Sequence, residues 1–382
     1  MAIRKFLVAA FFMAALTAAS FYSAALDLDV SAKSAILLDA FSGEALYEKN
    51  ADARLPMAST TKIMTAIVVL ENTSPDDVVT VKKESTLVEG SSMYLREGER
   101  LKVLDLLYGL LMLSGNDAAL ALADFTGGDV ESFVRQMNIK AGELGMHGTS
   151  YENPNGLDGE KHYTTARDMA ALTHCAMENS VFREIVGTKS CTRAGRFMTN
   201  HNKLLWRYDG AEGVKTGYTR RSGRCLVTGA SRGGRRLIAV TLGAPDDWND
   251  HTRMLDFGFS HFSSEVLAEK GAVIAHVPVI SGGLRTVPVR INAAVTASLS
   301  NGELEALEKR IELPRFVYAP IIQGELAGRI VFSLDGKTVA ETTLSFCSDS
   351  GEYLPPPKPS VWRRIFSFFT ALRAAAYCSA LS

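Results

Sequence analysis

The sequence predicts an α+β body, followed by a small all-β domain and a C-terminal amphipathic helix. Three observations predict this. Strand-like stretches stand at both ends of residues 32–262, with helical periodicities between them. From about residue 268 to 348, short β-rich runs alternate with glycine turns. Beyond residue 354, a proline run precedes apolar residues at helical spacing.

The elements follow in chain order. Arg4 and Lys5 precede an apolar run from Phe6 to about Ala19, and Ser23-Ala24-Ala25 supplies small residues for cleavage. Residues 1–25 therefore read as a signal peptide, with the mature chain starting near Leu26 outside the cytoplasm. Ser34–Asp39 reads as a strand that turns through Ser42-Gly43 into Ala45–Glu48. A long helical pattern follows Pro56, carrying Ile63, Met64, Ile67, Val68 and Leu70. Further helical patterns cover Val103–Leu113, Asp117–Phe125, Val130–Leu144 and Thr165–Glu178. Strands return at Gly213–Thr216, Arg224–Ser231 and Arg236–Gly243, and a helix near Asp250–Phe257 closes the body.

The second domain, 268–348, is expected to be sandwich-like. Its strands are Val273–Val279, Leu284–Ile291, Ala293–Leu299, Arg310–Leu313, Ile321–Phe332 and Thr338–Leu344. Gly282-Gly283, Asn301-Gly302 and Asp335-Gly336 supply turns. Residues 349–360, with Pro355-Pro356-Pro357, read as a stiff linker. In 361–379, Trp362, Ile365, Phe366, Phe369, Leu372 and Ala376 share a helical face beside Arg363, Arg364 and Arg373. That pattern fits a helix lying in a membrane interface, with arginines toward anionic lipid.

Composition narrows the function. The chain is 47% hydrophobic and 22% charged with net charge −1, which argues against disorder and against nucleic acid as a partner. The five cysteines show no C-x-x-C spacing; export leaves a Cys175–Cys191 bridge open, and the sequence alone does not support one. His162, His174, His201 and His251 lack metal-ligand spacing and read as structural; neither a metal nor a cofactor is expected.

Three short motifs carry the chemistry: Ser59-Thr60-Thr61-Lys62, Ser114-Gly115-Asn116 and Lys215-Thr216-Gly217. A Ser-x-x-Lys alone arises on the order of once by chance in a chain this long. Context adds the weight: the first opens an amphipathic helix, the second joins two helices, and the third lies on a strand. Residues three apart on a helix share a face, so Ser59 and Lys62 can meet. A serine hydroxyl needs a base, and burial beside the charge of Lys215 would lower Lys62 enough to serve as a neutral one. Ser114 can relay a proton to a leaving amine, and Asn116 can hold Lys62 and the substrate backbone. The third strand can pair with an extended peptide while Lys215 and Thr216 meet its terminal carboxylate. Gly217 permits close approach. The backbone N–H groups of Ser59 and Tyr218 would hold an oxyanion.

These stretches resemble the serine D-Ala-D-Ala carboxypeptidases, the low-molecular-mass penicillin-binding proteins of peptidase family S11. Pro56–Thr65, Leu113–Ala119 and Gly213–Thr219 carry the likeness, with Asn153–Leu157 and Tyr163–Ala170 as a loop bordering the site. The resemblance implies a β-lactamase/transpeptidase-like catalytic domain over 26–264, built on a mainly antiparallel sheet. It further implies that the β-rich segment is the family's second domain and the terminal helix its membrane anchor. The activity implied is removal of the terminal D-alanine of peptidoglycan stem peptides through a Ser59 acyl-enzyme, with β-lactams as covalent inhibitors. The family uses a basic residue beyond the third motif for the terminal carboxylate, and Arg253 and Arg220 are the candidates.

Rival functions are a cross-link endopeptidase, a β-lactamase and a non-catalytic wall-binding protein. A β-lactamase needs a deacylating glutamate near the site. Asn153–Leu157 contains none; Glu152 precedes it and Glu160 follows. Intact Ser59, Lys62 and Lys215 argue against a non-catalytic role.

Overall fold

The computed structural model describes residues 28–300 and 302–352. The expected signal peptide, the proline run Pro355–Pro359, the terminal helix and Cys378 lie outside the described residues. Among the described residues, no helix is long and apolar enough to cross a membrane. The chain divides into two units, the first reaching Glu265 and including Ser298–Gly302, the second holding the rest.

The first unit is built on a five-stranded sheet. Its strands are β1 (Ser34–Asp39), β2 (Ala45–Lys49), β7 (Lys215–Thr219), β8 (Gly223–Arg232) and β9 (Arg235–Leu242), in the order β2-β1-β9-β8-β7. The adjacent pairs are antiparallel. Two small hairpins lie apart from it: β3 (Val78–Thr80) with β4 (Arg100–Lys102), and β5 (Ser190–Arg193) with β6 (Arg196–Thr199). The helices are α1 (Lys62–Asn72), α2 (Val103–Met112), α3 (Asn116–Gly127), α4 (Val130–Glu143), α5 (Ala166–Glu178), α6 (Ser180–Gly187), α7 (Leu204–Arg207) and α8 (Asp247–His261).

Successive strand residues face opposite sides, and each side finds a helical cover. Ile36, Val227, Ile238 and Val240 join α1, α2, α3 and α5 in one core. Leu37, Leu226, Leu237 and Ala239 join Leu204, Met254 and Leu255 in the other. Helix α1 is buried nearly all round through Ile63, Met64, Ala66, Ile67, Val68 and Val69, as a helix at the centre of a domain must be. Helix α5 starts where the Thr165 side chain accepts the Asp168 N–H, an ordinary N-cap.

The second unit carries a six-stranded sheet whose central hairpin pairs Leu326–Leu334 with Lys337–Phe346. Its turn, Asp335-Gly336, has φ of 50° and 76°, as a two-residue hairpin loop requires. Val287, Val289, Ile330, Phe332 and Leu344 form its core. The strand expected at Ile321–Phe332 begins only at Leu326, because Gly324 at φ 89° turns the chain before it. The hairpin β5–β6 gave no apolar alternation and was not expected. Cys175, Cys191, Cys225 and Cys347 are free thiols, so the Cys175–Cys191 bridge is not formed.

Candidate active site

Ser59 stands in a single 3-10 turn, Ala58–Thr61, that runs into α1. Ala58 holds φ at 49°, and two hydroxyls staple the turn: Thr60 Oγ1 donates to Met57 O at 2.6 Å and Thr61 Oγ1 to Ala58 O at 2.7 Å. His162 supports it from below, with Nε2 2.8 Å from Thr61 Oγ1. Its Nδ1 accepts the Glu152 N–H at 3.1 Å, which places the ring proton on Nε2 and makes it the donor to Thr61. Burial pushes His162 down to about 4, so the ring is neutral.

Lys62 is fully buried one turn on. Its Nζ lies 3.0 Å from Ser59 Oγ and 2.7 Å from Asn116 Oδ1, and it also meets the Asn155 carbonyl oxygen. Burial first, and then the positive charge of Lys215, hold Lys62 well below the ordinary ammonium range, against the opposing pull of Asp117. The partners can serve an uncharged amine. An amide oxygen and a backbone carbonyl can only accept, so they take its two N–H groups. A neutral Lys62 then has a lone pair left for Ser59 Oγ, the one of the three partners that can donate as well as accept.

Two segments bring the acceptors there. The loop around Asn155 closes because Gly156, at φ 88°, lies where any side chain would overlap the Ala58 carbonyl. Its turn is held by Asn153 Oδ1, which accepts the Gly156 N–H at 2.7 Å, and Thr65 donates to Pro154 O at 2.6 Å. Asn116 sits at the start of α3, with its Nδ2 on Glu89 O at 2.6 Å and its N–H on Ser91 O at 2.7 Å. The segment from Glu89 to Leu95 is itself wrapped on the buried Asp117 carboxylate. That group accepts from Ser92 Oγ at 2.6 Å and from the N–H groups of Met93 and Leu95 at 3.0 Å.

Strand β7 is a sheet edge, free on one side to pair with a peptide. An added Cβ on Gly217 would fall 3.0 Å from Ser59 N and 3.1 Å from Ala58 Cβ, so only glycine lets the strand lie this close to the Ser59 turn. Lys215 is fully buried, its Nζ donates to Thr216 O at 2.9 Å, and burial lowers it to about 7. Thr216 is half-buried, and the Tyr218 side chain is exposed.

Of the residues singled out in the sequence, Ser59, Lys62 and Asn116 are directly bonded, Gly217 abuts Ser59, and Lys215 acts on Lys62 through its charge. Ser114 is nearly buried, with φ at 60°, between α2 and Asn116. Asn155 is the member that sequence reasoning left without a role, because it contributes a backbone oxygen. His162, read as structural, braces the turn that carries Ser59. Glu152 turns into its own loop, accepting the Lys161 N–H at 2.9 Å. Arg253 is occupied by Asp250 at 2.7 Å, and Asp250 also takes the Ser31 N–H and hydroxyl.

Residues 20–246 match the family model described as D-alanyl-D-alanine carboxypeptidase. Residues 262–350 match that of the penicillin-binding protein 5 C-terminal domain. The chain is 35% identical over 337 residues to the D-alanyl-D-alanine carboxypeptidase DacF of Bacillus subtilis, covering 85% of this chain and 87% of that one. It is 36% identical to DacC of Escherichia coli, covering 82% and 83%. Penicillin-binding protein 5 from Haemophilus influenzae superposes with a TM-score of 0.78 at 30% identity, covering 85% of this chain and 98% of that one.

Proposed function

The chain belongs to the D-alanyl-D-alanine carboxypeptidase family of serine peptidases, and from that premise we propose how its residues remove the terminal D-alanine of peptidoglycan pentapeptide stems. The observation that carries the proposal is the set of partners around Lys62 Nζ: two obligate acceptors and one hydroxyl.

The stem peptide lies along the free edge of β7, with its terminal carboxylate toward Thr216 and Lys215. Ser59 Oγ attacks the carbonyl carbon of the penultimate D-alanine and gives its proton to Lys62. The oxyanion rests between the N–H groups of Ser59 and Tyr218. Lys62 returns the proton through Ser114 to the departing amine, the C–N bond breaks, and D-alanine leaves. Water then attacks the Ser59 ester with Lys62 taking its proton, the bond between the acyl carbon and Ser59 Oγ breaks, Lys62 gives that proton to Ser59 Oγ, and the shortened stem departs with a new carboxyl group. A β-lactam acylates Ser59 by the same attack, and its ring opens without losing a fragment. Glu152 is spent on its own loop, which disfavours a β-lactamase route through it.

Residues 26–264 make up the catalytic domain and 268–348 the β-rich domain of this proposal. Residues 1–25 direct export and are removed. The helix at 361–379, spaced off by the 349–360 linker, lies on the membrane so that the enzyme works at its outer face. The test is fluorescent penicillin labelling of the wild type beside Ser59→Ala, with D-alanine release from a pentapeptide measured in parallel. Labelling that survives in Ser59→Ala refutes the assignment. A truncation at residue 352 should leave activity intact and move the protein from the membrane to the soluble fraction.

A further inference from the structure

One end of the second unit exposes a cluster of large apolar side chains. Strand Val317–Tyr318 runs parallel to the end of Val273–Ile280, with Val279 opposite Val317 and Ile280 opposite Tyr318. Val279 and Val317 pack against the core, so the alternation of a strand turns Ile280 and Tyr318 outward, with Phe316 on the side of Tyr318. The Phe316 and Tyr318 rings meet edge to face, 5.6 Å apart. Leu284 and Ile322 join from two neighbouring loops, each beside a bond to Ser350. The Leu284 N–H donates to Ser350 Oγ at 3.4 Å, and Ile321 exchanges both backbone bonds with Ser350 at 3.0 Å. Tyr318 is 66% and Ile322 60% exposed. A cluster of large exposed apolar side chains marks an interaction site.

The chain leaves the described structure at this same end. Gly282 bridges to Glu352, and the Gly283 N–H donates to Gly351 O at 2.9 Å. Glu352, the last described residue, is thus fastened to a loop that carries the cluster. The sequence beyond it runs through eight residues, 353–360, four of them proline, to the arginine-flanked apolar pattern at 361–379. At about 3.1 Å per residue, a proline-rich linker of this length reaches about 25 Å. A helix lying in the membrane therefore keeps this end within about 25 Å of lipid, and so short a tether makes a weak contact effective. Arg285 and Arg315 are exposed beside Leu284 and Phe316, and Glu352 is exposed as well. Glu325 and Asp349 are turned into their own loops, accepting the Ile322 N–H at 3.2 Å and the Gln323 N–H at 2.7 Å. Charge is close to balanced here, so what the surface offers is mainly apolar.

We propose that this end of the second unit is a membrane contact, whose ligand is the interfacial layer of a phospholipid bilayer. Phe316 and Tyr318 enter that layer, which aromatic rings favour, with Leu284 and Ile322 beside them. This rests on the reading of 361–379 as a helix lying on the membrane, and it adds a second point of hold that fixes how the second unit stands on the lipid. The terminal helix itself is the rival occupant, but its apolar face is committed to lipid once it lies in the membrane. Alone the cluster is too small to hold the chain, so it acts after the helix has landed.

The experiment uses the chain from residue 26 to its end, with vesicles of equal parts phosphatidylethanolamine and phosphatidylglycerol. Hydroxyl-radical footprinting, read by mass spectrometry, follows the side chains of 280–285 and 315–322 with and without vesicles. Flotation measures partition of the wild type and of the triple variant Phe316→Ser, Tyr318→Ser, Ile322→Ser, whose folding is checked by thermal melting and penicillin labelling. Phe316 and Tyr318 should be protected only when vesicles are present, and the triple variant should partition about 10-fold or more weakly. A wild type that floats while both rings react as they do in solution overturns the proposal, as does a folded triple variant that floats like the wild type. Protection without vesicles overturns it too: lost on truncation at residue 352, it assigns the cluster to the terminal helix, and rising with protein concentration, it assigns it to a second copy. A wild type that does not float at all overturns the anchoring helix beneath the proposal, a result distinct from a failure of the cluster alone.

Discussion

Replacing Gly217 with alanine tests the close approach of the substrate strand to the nucleophile turn. The new methyl would stand 3.0 Å from Ser59 N, 3.1 Å from Ala58 Cβ and 3.2 Å from Met57 O. Ordinary contact needs several tenths of an ångström more, and all three neighbours belong to one stapled turn that cannot yield by rotating a side chain. The edge strand must therefore back away. In stability this is mild overpacking at a sheet edge, about 1 kcal/mol, or roughly 2–4 °C in Tm for a unit of this size. In catalysis it is worse. An oxyanion donor works only at about 2.7–3.1 Å, and losing one costs about 10²–10³ in rate. A partial displacement of the Tyr218 N–H relative to that of Ser59 should thus slow acylation about 10–100-fold. Stopped-flow acylation by a fluorescent penicillin, beside a thermal melt, reads both. Gly217→Ala acylating at the wild-type rate would refute the claim that this contact sets the oxyanion geometry. A rate loss no larger than the loss of folded protein would do the same.

The proposed mechanism needs Lys62 neutral and Lys215 charged in the free enzyme. kcat/KM should rise as pH climbs through the depressed Lys62 pKa and fall as Lys215 deprotonates near about 7. Bound carboxylate favours the Lys215 ammonium, so the alkaline limb of kcat should lie higher than that of kcat/KM; coincident limbs would remove Lys215 from carboxylate contact. His162 and His251 are held down to about 4 and about 3, while unfolded histidine titrates near 6.5. The unfolded chain then binds more protons below about pH 6.5, and stability falls with falling pH by about 1.4 kcal/mol per unit for each histidine. Urea melts from pH 6.5 to 5 should show this slope, and His251→Gln should remove about half of it. Asp117→Asn turns one acceptor oxygen into a donor facing the Met93 or Leu95 N–H. It should cost about 2–4 kcal/mol in denaturant melts and slow acylation, because the same segment seats Asn116; wild-type stability would show that the loop is held otherwise.

What the sequence disclosed and what it withheld follow one physical division. The hydroxyl–amine pair was legible because Ser59 and Lys62 are local: three-residue spacing on a helix puts them together whatever the rest of the chain does. Sheet strands such as Ser34–Asp39 were legible because burial on both faces demands an apolar run. Three features were not. The Asn155 carbonyl is a backbone atom, so nothing in residue type marks it, and Gly156 gives only the hint that something comes close. The support from His162 crosses about a hundred residues and looks, in sequence, like any other histidine. The pairing of Arg224 with Tyr218 depends on register, and register is set by the turn at Thr219–Gly223. A single residue more or less in that turn would send the arginine to the opposite face. The Ser59–Lys62 contact is thus fixed by a helix, and the strand edge beside it by a hairpin.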